Sequence, residues 1–414
     1  MVGRTRVVTC AVAGGGPAGM MLGLLLARAG VSVLVLEKHA DFLRDFRGDT
    51  IHPSTLELMH ELGLLEEFLK LPHQEVTALA GQLGDTTVPI ADFSHLPTRC
   101  KFVAIMPQWD FLDFLARCAA RYRAFALEMR AEATDLIQTD GRVVGVRVST
   151  PAGPVEVRAD LVVAADGRSS VLRERAGLAV EDLGAPMDVF WFHLSRRPED
   201  PEATTGRFDV GRIFVRINRG VQWQCGFVIP KGSAEDVRRR GIESFRASVA
   251  ALVPFAADRV GEIGSWDDVK LLTVKVDRLR EWYRPGLLCI GDAAHAMSPV
   301  GGVGINLAIQ DAVATANLLW APLRDRAVTT EQLRAVQQRR QWPTRVTQRL
   351  QILVQRRVIT RVLGSGATRI TPPRLLTFLA GIPMMRRLPA RLIGVGVRVE
   401  HVRSPAVAPD GGRA

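Results

Sequence analysis

The chain has 414 residues and a formal net charge of +11, with 47% hydrophobic and 23% charged residues. This length and composition indicate a globular protein of two or three structural units and exclude a largely disordered chain. Its five cysteines are odd in number and not closely paired, so we expect neither a disulfide framework nor a bound metal.

The first predicted elements form a βαβ unit. Residues 6–12 indicate a buried strand, residues 17–29 an apolar helix ending before Gly30, and residues 31–36 a second strand. Residues 9–27 carry no charge, but three glycines and Pro17 interrupt them, which suits a tight turn and argues against a signal peptide or membrane span. We therefore expect a cytoplasmic protein.

The middle of the chain changes from helical to strand-like patterns. The expected elements, in chain order, are helices at 53–69 and 108–120, a hairpin of 143–150 with 155–159, a buried strand at 161–165, strands within 187–230, a helix at 234–252, strands at 269–276 and 287–290, and a helix at 304–319. From residue 329 onward the pattern is helical and basic.

This order predicts an α/β fold in which a nucleotide-binding domain is interrupted by a β-rich insert. The nucleotide-type domain is expected to comprise residues 1–75, 100–180 and 280–325, and the β-rich substrate domain residues 76–99 and 181–279. A basic helical region, 326–404, and a flexible tail, 405–414, are expected to follow.

The clearest motif is Gly14-x-Gly16-x-x-Gly19, placed between the first strand and the first helix. Gly14 permits the tight turn, Gly16 lets the backbone approach a pyrophosphate, and Gly19 lets the helix pack on the strand. The helix N-terminus supplies free N–H groups for that anion. Glu37, 18 residues beyond Gly19, is placed to accept hydrogen bonds from a ribose. The motif predicts dinucleotide binding but does not separate FAD from NAD.

Two later segments narrow the choice of cofactor. An apolar stretch, 160–165, ends in Asp166 and Gly167, and residues 287–306 read LLCIGDAAHAMSPVGGVGIN. With the glycine motif, these segments resemble the three fingerprints of the group A flavoprotein monooxygenases, the family of p-hydroxybenzoate hydroxylase, phenol hydroxylase and ubiquinone-pathway hydroxylases. The resemblance covers about residues 6–320. It implies FAD, bound in a doubly wound, glutathione-reductase-like domain, with interleaved substrate domain and C-terminal helices.

The resemblance also implies which residues contact FAD. Besides the three glycines, the expected contacts are Ala18 in the first helical turn, Glu37 at the adenosine ribose with Lys38 nearby, Arg47 near the flavin or its pyrophosphate, Gln108 and Asp292 at the ribityl chain, the backbone of Ala133 at adenine, and Asp166 at the pyrophosphate or nicotinamide side. For Asp166, a purely structural Asp-Gly turn stays an alternative.

The family reaction uses NADPH or NADH to reduce the flavin, forms a flavin C4a-hydroperoxide with O2, and transfers one oxygen atom. Pro299 would lie near C4a, and the backbone N–H groups of Ile305 and Asn306 would face the flavin. Gly302 and Gly304 would let the backbone approach the ring closely. The N-terminal end of the helix that follows would stabilise the anionic reduced flavin.

The insert is expected to hold the substrate over the flavin. We predict Phe192, Phe214 and Trp223 as substrate contacts and His193 as an acid or base. The alternative that these aromatic residues form sheet core, and that the histidine is an ordinary strand residue, stays open.

The substrate itself is expected to be a small, lipophilic organic molecule. The chain has only two tyrosines, Tyr122 and Tyr283, and neither lies in the strands of the insert. A phenol-activating tyrosine is therefore not visible, which favours an aromatic, quinone-like or polyketide-like substrate over a simple phenol.

The C-terminal region is strongly basic, with 15 arginines and one acidic residue between Arg334 and Arg403. A solvated helical face is one interpretation, and peripheral contact with an anionic membrane is another. Nucleic acid is not expected as a partner, because aromatic residues do not alternate with the basic ones and no known nucleic-acid-binding module is recognisable. The sequence does not predict the oligomeric state.

The function with most support at this point is a single-component, FAD-dependent monooxygenase, either a hydroxylase or an epoxidase. A flavin oxidase, dehydrogenase or reductase on the same fold is the alternative. A flavin-binding protein without catalytic activity is the third hypothesis.

Overall fold

The computed structural model describes residues 4–43, 50–84, 86–364 and 382–409. The strands within these residues are β1 (Arg4–Ala13), β2 (Val33–Glu37), β3 (Thr50–Ile51), β4 (Gln74–Val76), β5 (Ala78–Leu83), β6 (Thr86–Asp92), β7 (Val103–Ile105), β8 (Phe125–Met129), β9 (Glu132–Thr139), β10 (Arg142–Thr150), β11 (Gly153–Ala164), β12 (Val180–Asp182), β13 (Met187–Ser195), β14 (Thr205–Asp209), β15 (Arg212–Asn218), β16 (Gln222–Pro230), β17 (Lys270–Leu272), β18 (Asp277–Leu279), β19 (Tyr283–Arg284), β20 (Leu287–Cys289) and β21 (His295–Ala296).

The α-helices are α1 (Pro17–Arg28), α2 (Pro53–Glu61), α3 (Leu65–Phe68), α4 (Gln108–Ala119), α5 (Val171–Arg175), α6 (Ala234–Arg239), α7 (Ile242–Leu252), α8 (Gly304–Arg324), α9 (Thr330–Val354), α10 (Thr360–Gly364) and α11 (Pro383–Gly394). A π-helical segment, Gln355–Ile359, joins α9 to α10. Short 3-10 helices lie at Phe93–His95, Pro254–Glu262, Trp266–Asp268, Gly291–Ala293 and Val300–Gly302.

The first sheet is eight-stranded and carries the predicted βαβ unit. Its main order is β19-β20-β11-β1-β2-β8, and β10 pairs with β11 and β9. Strands β2, β1, β11 and β20 run parallel. All five residues of β2 are buried, as expected for a strand covered on both faces. The α/β fold class is thereby confirmed.

Helix α1 packs on this sheet through small residues. An added Cβ at Gly23 would lie 2.8 Å from Cγ2 of Val35, so the glycine sets how closely helix and strand approach. Pro17 occupies the first helical turn, where its missing N–H costs nothing. This unit therefore forms much as the local sequence predicts.

The second large sheet is seven-stranded, in the order β17-β13-β16-β15-β14-β5-β6. Strands β13 to β16 pair antiparallel with one another, and β5 joins β14 in parallel. Strands from two separated parts of the chain, residues 78–92 and 187–272, thus share one sheet. One of its faces packs against α7, and the opposite face packs against the segment that precedes α8.

Two helices are broken where the sequence predicts continuous ones. Residues 53–69 form α2 and α3, and residues 234–252 form α6 and α7. The breaks fall at Gly63, with φ of 72°, and Gly241, with φ of 87°. These left-handed conformations end one helix before the next begins.

Within the described residues no helix is long and apolar enough to cross a membrane. All five cysteines are buried and free. They contribute small side chains to the core, as their apolar sequence context predicts.

Candidate active site

The glycine turn between β1 and α1 is closed on one side and open on the other. Gly14 has φ of +106°, and an added Cβ would lie 2.3 Å from the Ala165 carbonyl oxygen. An added Cβ at Gly19 would lie 1.9 Å from the Gly14 carbonyl oxygen. At Gly16, in contrast, nothing lies within 4 Å of an added Cβ. The turn is therefore closed on its inner side and open in front of Gly16, where the free N–H groups of α1 begin.

Glu37 ends β2 beside this turn, and only 8% of its surface is exposed. Its Oε2 accepts a hydrogen bond from the Gly15 N–H at 2.9 Å, and its Oε1 accepts one from the His39 N–H at 3.1 Å. A carboxylate oxygen can accept more than one hydrogen bond, so these contacts orient the group and leave capacity for ribose hydroxyls. Lys38 is exposed beside it.

Ala133, the residue predicted to contact adenine, does not lie at the tip of β2. The Ala131 N–H donates to the Glu37 carbonyl oxygen at 2.9 Å, so Ala131 lies at the tip of β2. Ala133 instead belongs to β9 and pairs with Val148. The structure therefore places Ala131, and not Ala133, next to the predicted ribose site, because the chain turns at Arg130, which has φ of 55°.

Asp166 follows β11 at the same edge of the sheet. Its Oδ2 accepts a hydrogen bond from the Leu172 N–H at 3.3 Å. Its Oδ1 is buried and has no hydrogen-bond partner among the described residues. Burial raises the pKa of this carboxyl. Because buried polar atoms are rarely left unpaired, an unsatisfied oxygen at the sheet edge fits a bound polar group.

The Gly291-Asp292 turn follows β20, next to Asp166 across the sheet edge. Gly291 has φ of +57°, and an added Cβ would lie 3.1 Å from the Cβ atoms of both Ala18 and Ala308. The turn is therefore wedged between α1 and α8. The Asp292 carboxylate is partly exposed and lies 3.5 Å from Nη2 of Arg168. Arg168 had no predicted role, since no sequence pattern linked it to a residue so far along the chain.

A buried ion network supports this turn from below. The Asp311 carboxylate is fully buried and accepts hydrogen bonds from the Gly291 N–H at 3.1 Å and Nε of Arg340 at 2.9 Å. Its Oδ2 lies 2.6 Å from Nε2 of His295. Arg340 also reaches Oε1 of Glu400 at 3.3 Å. Burial alone would raise the pKa of Asp311, but His295 and Arg340 outweigh it and hold that pKa below its usual value.

The predicted flavin loop is tied to strand β3. Gly302 has φ of +62°, and an added Cβ would lie 2.4 Å from Oγ1 of Thr50. The Thr50 hydroxyl donates to the Gly302 carbonyl oxygen at 2.9 Å. The Gly302 N–H donates to the carbonyl oxygen of half-buried Pro299 at 3.1 Å, which closes the turn. Only glycine fits at residue 302.

The Asn306 side chain holds the same region together. Its Oδ1 accepts hydrogen bonds from the His52 N–H at 2.9 Å and the Thr55 hydroxyl at 2.7 Å. Its Nδ2 donates to the Thr50 carbonyl oxygen at 3.1 Å. The side chain is thus used within the protein, and only the backbone N–H is left to face a ligand.

Helix α8 begins with free N–H groups at this loop. Its first intrahelical bond runs from the Leu307 N–H to the Val303 carbonyl oxygen at 3.0 Å. The preceding N–H groups of Gly304, Ile305 and Asn306 lie in the first turn, where a helix supplies no acceptor of its own. The positive end of a 21-residue helix therefore points at the loop.

His52 is buried beside Asn306. Its Nδ1 lies 2.7 Å from the Ile393 carbonyl oxygen, and the side chain is 1% exposed overall. Burial lowers the pKa of His52 to about 4, against a smaller opposing effect of the Ile393 carbonyl. Through Nδ1 the neutral ring links the start of α2 to α11.

Of the remaining two predicted cofactor contacts, the structure describes Gln108 but not Arg47. Gln108 begins α4 and is 8% exposed, three residues beyond Ile105, which pairs with Thr50. It thus lies near the loop carried by Thr50. Arg47 lies outside the described residues.

The seven-stranded sheet presents one face to the flavin loop. Val189, Ile213 and Val228 form a cluster on this face with Trp191 and with Val300 of the loop. Next to them, an added Cβ at Gly226 would lie 3.0 Å from Cζ3 of Trp191, so the indole lies flat over the glycine.

The three predicted substrate contacts lie on the face covered by α7, away from the loop at residues 299–304. Phe192, Phe214 and Trp223 are each at most 1% exposed and pack in a cluster with Phe245 of α7. Successive strand residues point to opposite faces, so these side chains alternate with those that meet the loop. This corrects the prediction: the three aromatic residues form sheet core. His193, in contrast, alternates with Phe192 and shares the face of Trp191; it is partly exposed.

Helix α9 and the π-helical segment after it hold the loop through glutamine side chains, which the basic composition did not indicate. Nε2 of Gln351 donates to the carbonyl oxygens of Ser298 at 3.0 Å and Val300 at 2.8 Å. Nε2 of Gln355 donates to Oγ of Ser298 at 2.6 Å. The spacing of Gln348, Gln351 and Gln355 places them on one helical face, which is the only signal the sequence offered.

Comparison with known proteins shows the family and the fold. The family described as FAD binding domain matches residues 6–350. The 6-methylpretetramide 4-monooxygenase of Streptomyces rimosus is 33% identical over 396 residues, covering 95% of this chain and 93% of the relative. The 12-dehydrotetracycline 5-monooxygenase/anhydrotetracycline 6-monooxygenase of Streptomyces rimosus subsp. rimosus is 31% identical over 326 residues. That match covers 75% of this chain and 61% of the relative.

Among solved structures, the p-nitrophenol 4-monooxygenase PnpA of Pseudomonas putida DLL-E4 superposes with a TM-score of 0.78 at 20% identity. The match covers 96% of this chain and all of that chain. At this identity the likeness shows a common fold.

Proposed function

Because the chain belongs to the FAD binding domain family and is an FAD-dependent oxidoreductase, we propose that it is a single-component, NAD(P)H-driven monooxygenase. Its proposed substrate is an aromatic, polyketide-like molecule. The support comes from the site geometry and from the relative named 6-methylpretetramide 4-monooxygenase, which matches 95% of the chain.

The residues at the sheet edge fit FAD. The open space in front of Gly16 and the first turn of α1 suit the pyrophosphate, and Glu37 suits the adenosine ribose. Asp166 offers an unsatisfied oxygen nearby, and the partly exposed Asp292 suits the ribityl chain. When bound, FAD would accept electrons from NADPH or NADH. The reduced FAD would then activate O2, so that one oxygen atom can be transferred to the substrate.

The loop at residues 299–304 positions the protein groups around the reacting end of the cofactor. Thr50, Asn306 and Gln351 hold its carbonyl groups, so the loop is fixed without help from a ligand. The N–H groups of Ile305 and Asn306 are left free to donate to an anionic ring or to bound oxygen. Fixed donors of this kind stabilise developing charge without reorganisation when the reaction occurs.

The substrate is proposed to lie between this loop and the seven-stranded sheet. The sheet offers an apolar, aromatic face there, with Trp191 over Gly226 and with Val189 and Ile213 alongside. An apolar surface suits a polycyclic substrate and excludes water from the reacting atoms. His193 shares this face and is the proposed acid or base.

One observation carries the proposal more than any other. Val300, in the flavin loop, packs against the same cluster as Trp191, in the sheet. The glycine loop and the aromatic face are thus neighbours, although more than 100 residues separate them in the chain. A flavin held by the loop would meet a substrate held by the sheet.

The proposal is tested with the purified FAD-loaded protein, aromatic polyketide substrates and isotopically labelled O2. We expect NADPH or NADH consumption to accelerate with a substrate, and the product to gain one labelled oxygen atom by mass spectrometry. Product without label, with all oxygen recovered as H2O2, would instead establish the oxidase alternative. A protein that no nicotinamide donor reduces would contradict the proposal.

A substitution in the loop at residues 299–304 tests whether the loop takes part in the reaction. Gly302→Ala places a Cβ against Thr50 and should shift the loop while leaving the pyrophosphate site intact. We expect the variant to retain FAD but to release more H2O2 per NAD(P)H consumed. Gly261→Ala, at a site with nothing within 4 Å of the added Cβ, is the matched control and should behave as the unaltered protein.

A further inference from the structure

A cavity lies on the other face of the seven-stranded sheet, the face that packs against α7. Its volume is about 140 Å³. It is lined by Gln82, Thr205, Arg207, Phe214, Arg216, Leu252, Val253, Pro254 and Phe255. Pro254 is exposed, so the cavity opens to solvent there. The sheet itself separates this cavity from the flavin loop, since Phe214 and the loop residue Val300 belong to clusters on opposite faces.

Two guanidinium groups enter the cavity from adjacent strands. Arg207 lies on β14 and Arg216 on β15. Arg207 pairs with Phe214, and Arg216 is two residues further along β15, so the two arginines share one face of the sheet. The Nε atoms of both arginines are buried and have no hydrogen-bond partner in the described part of the chain. Each therefore presents an unused donor, which is costly for a charged group away from water.

The two arginines differ in the groups that offset their positive charge. Nη2 of Arg207 lies 3.6 Å from Oδ2 of Asp209, and its Nη1 makes a long contact of 3.4 Å to the Leu252 carbonyl oxygen. Arg216 has no carboxylate within 4.0 Å among residues 4–43, 50–84, 86–364 and 382–409. Arg216 thus makes no direct ion pair within the described part of the chain.

Aromatic rings hold Arg216 in place. Its guanidinium carbon lies 4.8 Å from the ring centroid of Phe255 and 5.4 Å from that of Trp223. Cation–π contacts attract the charge but accept no N–H hydrogen bonds along the edge of the guanidinium. Burial lowers the pKa of Arg216, and repulsion from Arg207 adds to this effect, against smaller opposing effects of Cys225 and Asp200. An anion between the two arginines would relieve both.

The rest of the wall is mostly apolar, with Gln82 and Thr205 as its two uncharged polar residues. Phe214, Leu252, Val253 and Phe255 surround the space beside the arginines. A cavity of about 150 Å³ with apolar walls is large enough to accept benzene. The dimensions therefore suit a single ring or a short branched chain, with the anionic group directed at the guanidinium edges.

We propose that this cavity is an accessory binding site for a small organic carboxylate of about the size of benzoate. The carboxylate would accept hydrogen bonds from Arg216 and Arg207, for which planar guanidinium groups are well suited. The apolar body would contact Phe255 and Phe214. This inference concerns a site on the far side of the sheet and does not depend on the oxygenation reaction.

The first experiment compares two probes of nearly the same shape on the FAD-loaded full-length protein at constant ionic strength. Benzoate should raise the thermal unfolding temperature in a saturable manner, and neutral benzamide should not. Equal effects of the two probes would overturn the proposal, because the charge would then play no part. An equal effect of chloride would also overturn it, since that would be nonspecific screening.

The second experiment assigns the effect to the cavity. Arg216→Met should weaken benzoate binding by at least about tenfold, because it removes a charged donor. Arg212→Met, at an exposed arginine on the same strand, should leave the affinity unchanged. A crystal soaked with 4-bromobenzoate should show its bromine in the cavity beside Phe255 and Leu252. Bromine found only beside Trp191, on the other face of the sheet, would refute the proposal even if Arg216→Met did not fold.

Discussion

Replacing Arg340 with methionine tests whether the buried ion network beneath the Gly291-Asp292 turn stabilises the fold. Arg340 is fully buried and makes charged contacts of 2.9 Å to Asp311 and 3.3 Å to Glu400. Removing one partner from a buried ion pair costs about 3–5 kcal/mol, because the remaining charge is left uncompensated. Asp311 keeps its contacts with His295 and Gly291, so we expect about 3 kcal/mol, at the lower end of that range.

The second carboxylate in the network also retains a partner. Glu400 stays paired with Arg339 at 2.7 Å and 3.0 Å, which limits its contribution to the loss. The measurement is the free energy of unfolding from urea denaturation at a fixed excess of FAD. Arg345→Met, at an exposed arginine on the same helix, is the matched control and should leave the denaturation midpoint unchanged.

The pH dependence gives a second readout. Because the folded pKa of Asp311 lies below its unfolded value of about 3.9, its contribution is complete above that pH and is lost as the pH falls through the folded pKa. Without Arg340 the pKa of Asp311 should rise. The difference between the variant and the unaltered protein should then shrink as the pH falls from about 7 to about 4.

A double variant decides between the charge explanation and a simple packing defect. Adding Asp311→Asn to Arg340→Met removes the uncompensated charge and should recover part of the lost stability. A loss below about 1 kcal/mol in the single variant, or no recovery in the double variant, would refute the reasoning.

Further predictions concern the glycine turn between β1 and α1, the buried His52, and the sheet face that carries Trp191. Gly14→Ala should lower the unfolding free energy of the FAD-free protein by about 2 kcal/mol or more, since its Cβ would lie 2.3 Å from a carbonyl oxygen at a φ of +106°. Gly16→Ala should leave that stability unchanged and raise only the FAD dissociation constant, measured by fluorescence titration, because the space it enters is open in the chain alone. His52→Asn should reduce the pH dependence of stability: burial lowers the pKa of His52 to about 4, so the unaltered protein should lose about 2 kcal/mol between about pH 7 and pH 5 as the unfolded chain takes up a proton. Gly226→Val should displace Trp191 and raise KM for the aromatic substrate by about tenfold with a smaller change in kcat, by steady-state kinetics.

Each of these predictions has a control and a contrary outcome. FAD-free Gly14→Ala protein as stable as the parent would show that the turn tolerates a side chain. Retention of the full pH dependence in His52→Asn would assign it to another group, and His95→Asn, at a surface histidine, should retain it in any case. Val221→Ala, at a side chain that is 81% exposed, should leave KM unchanged.

Local sequence was sufficient for the cofactor turn. Gly14, Gly16 and Gly19 act within one strand-turn-helix unit, and Glu37 follows from the length of the next strand. Their positions depend on contacts over few residues, so spacing alone predicted them. The loop at 299–304 and the start of α8 followed for the same reason, although the helix extends five residues beyond its predicted end, to Arg324.

The sequence could not distinguish the two faces of the seven-stranded sheet. Alternation correctly separates Phe192 from Trp191, but both faces are apolar, and a period of two does not say which face a helix covers. Helix α7 covers the face with Phe192, and the flavin loop covers the face with Trp191. That choice depends on packing between elements far apart in the chain.

The sequence also could not predict the long-range contacts that hold the Gly291-Asp292 turn and the loop at residues 299–304 in place. The glycine motif, the strand ends and the helix starts depend on neighbouring residues. Their resemblance to the fingerprints of a known flavoprotein family is what indicated the cofactor and the family from the sequence. The contacts of Asp311 with Arg340, and of Ser298 with Gln351, join residues 29 and 53 positions apart. Only the tertiary structure decides them, because a buried polar side chain takes its role from the partner that folding brings to it.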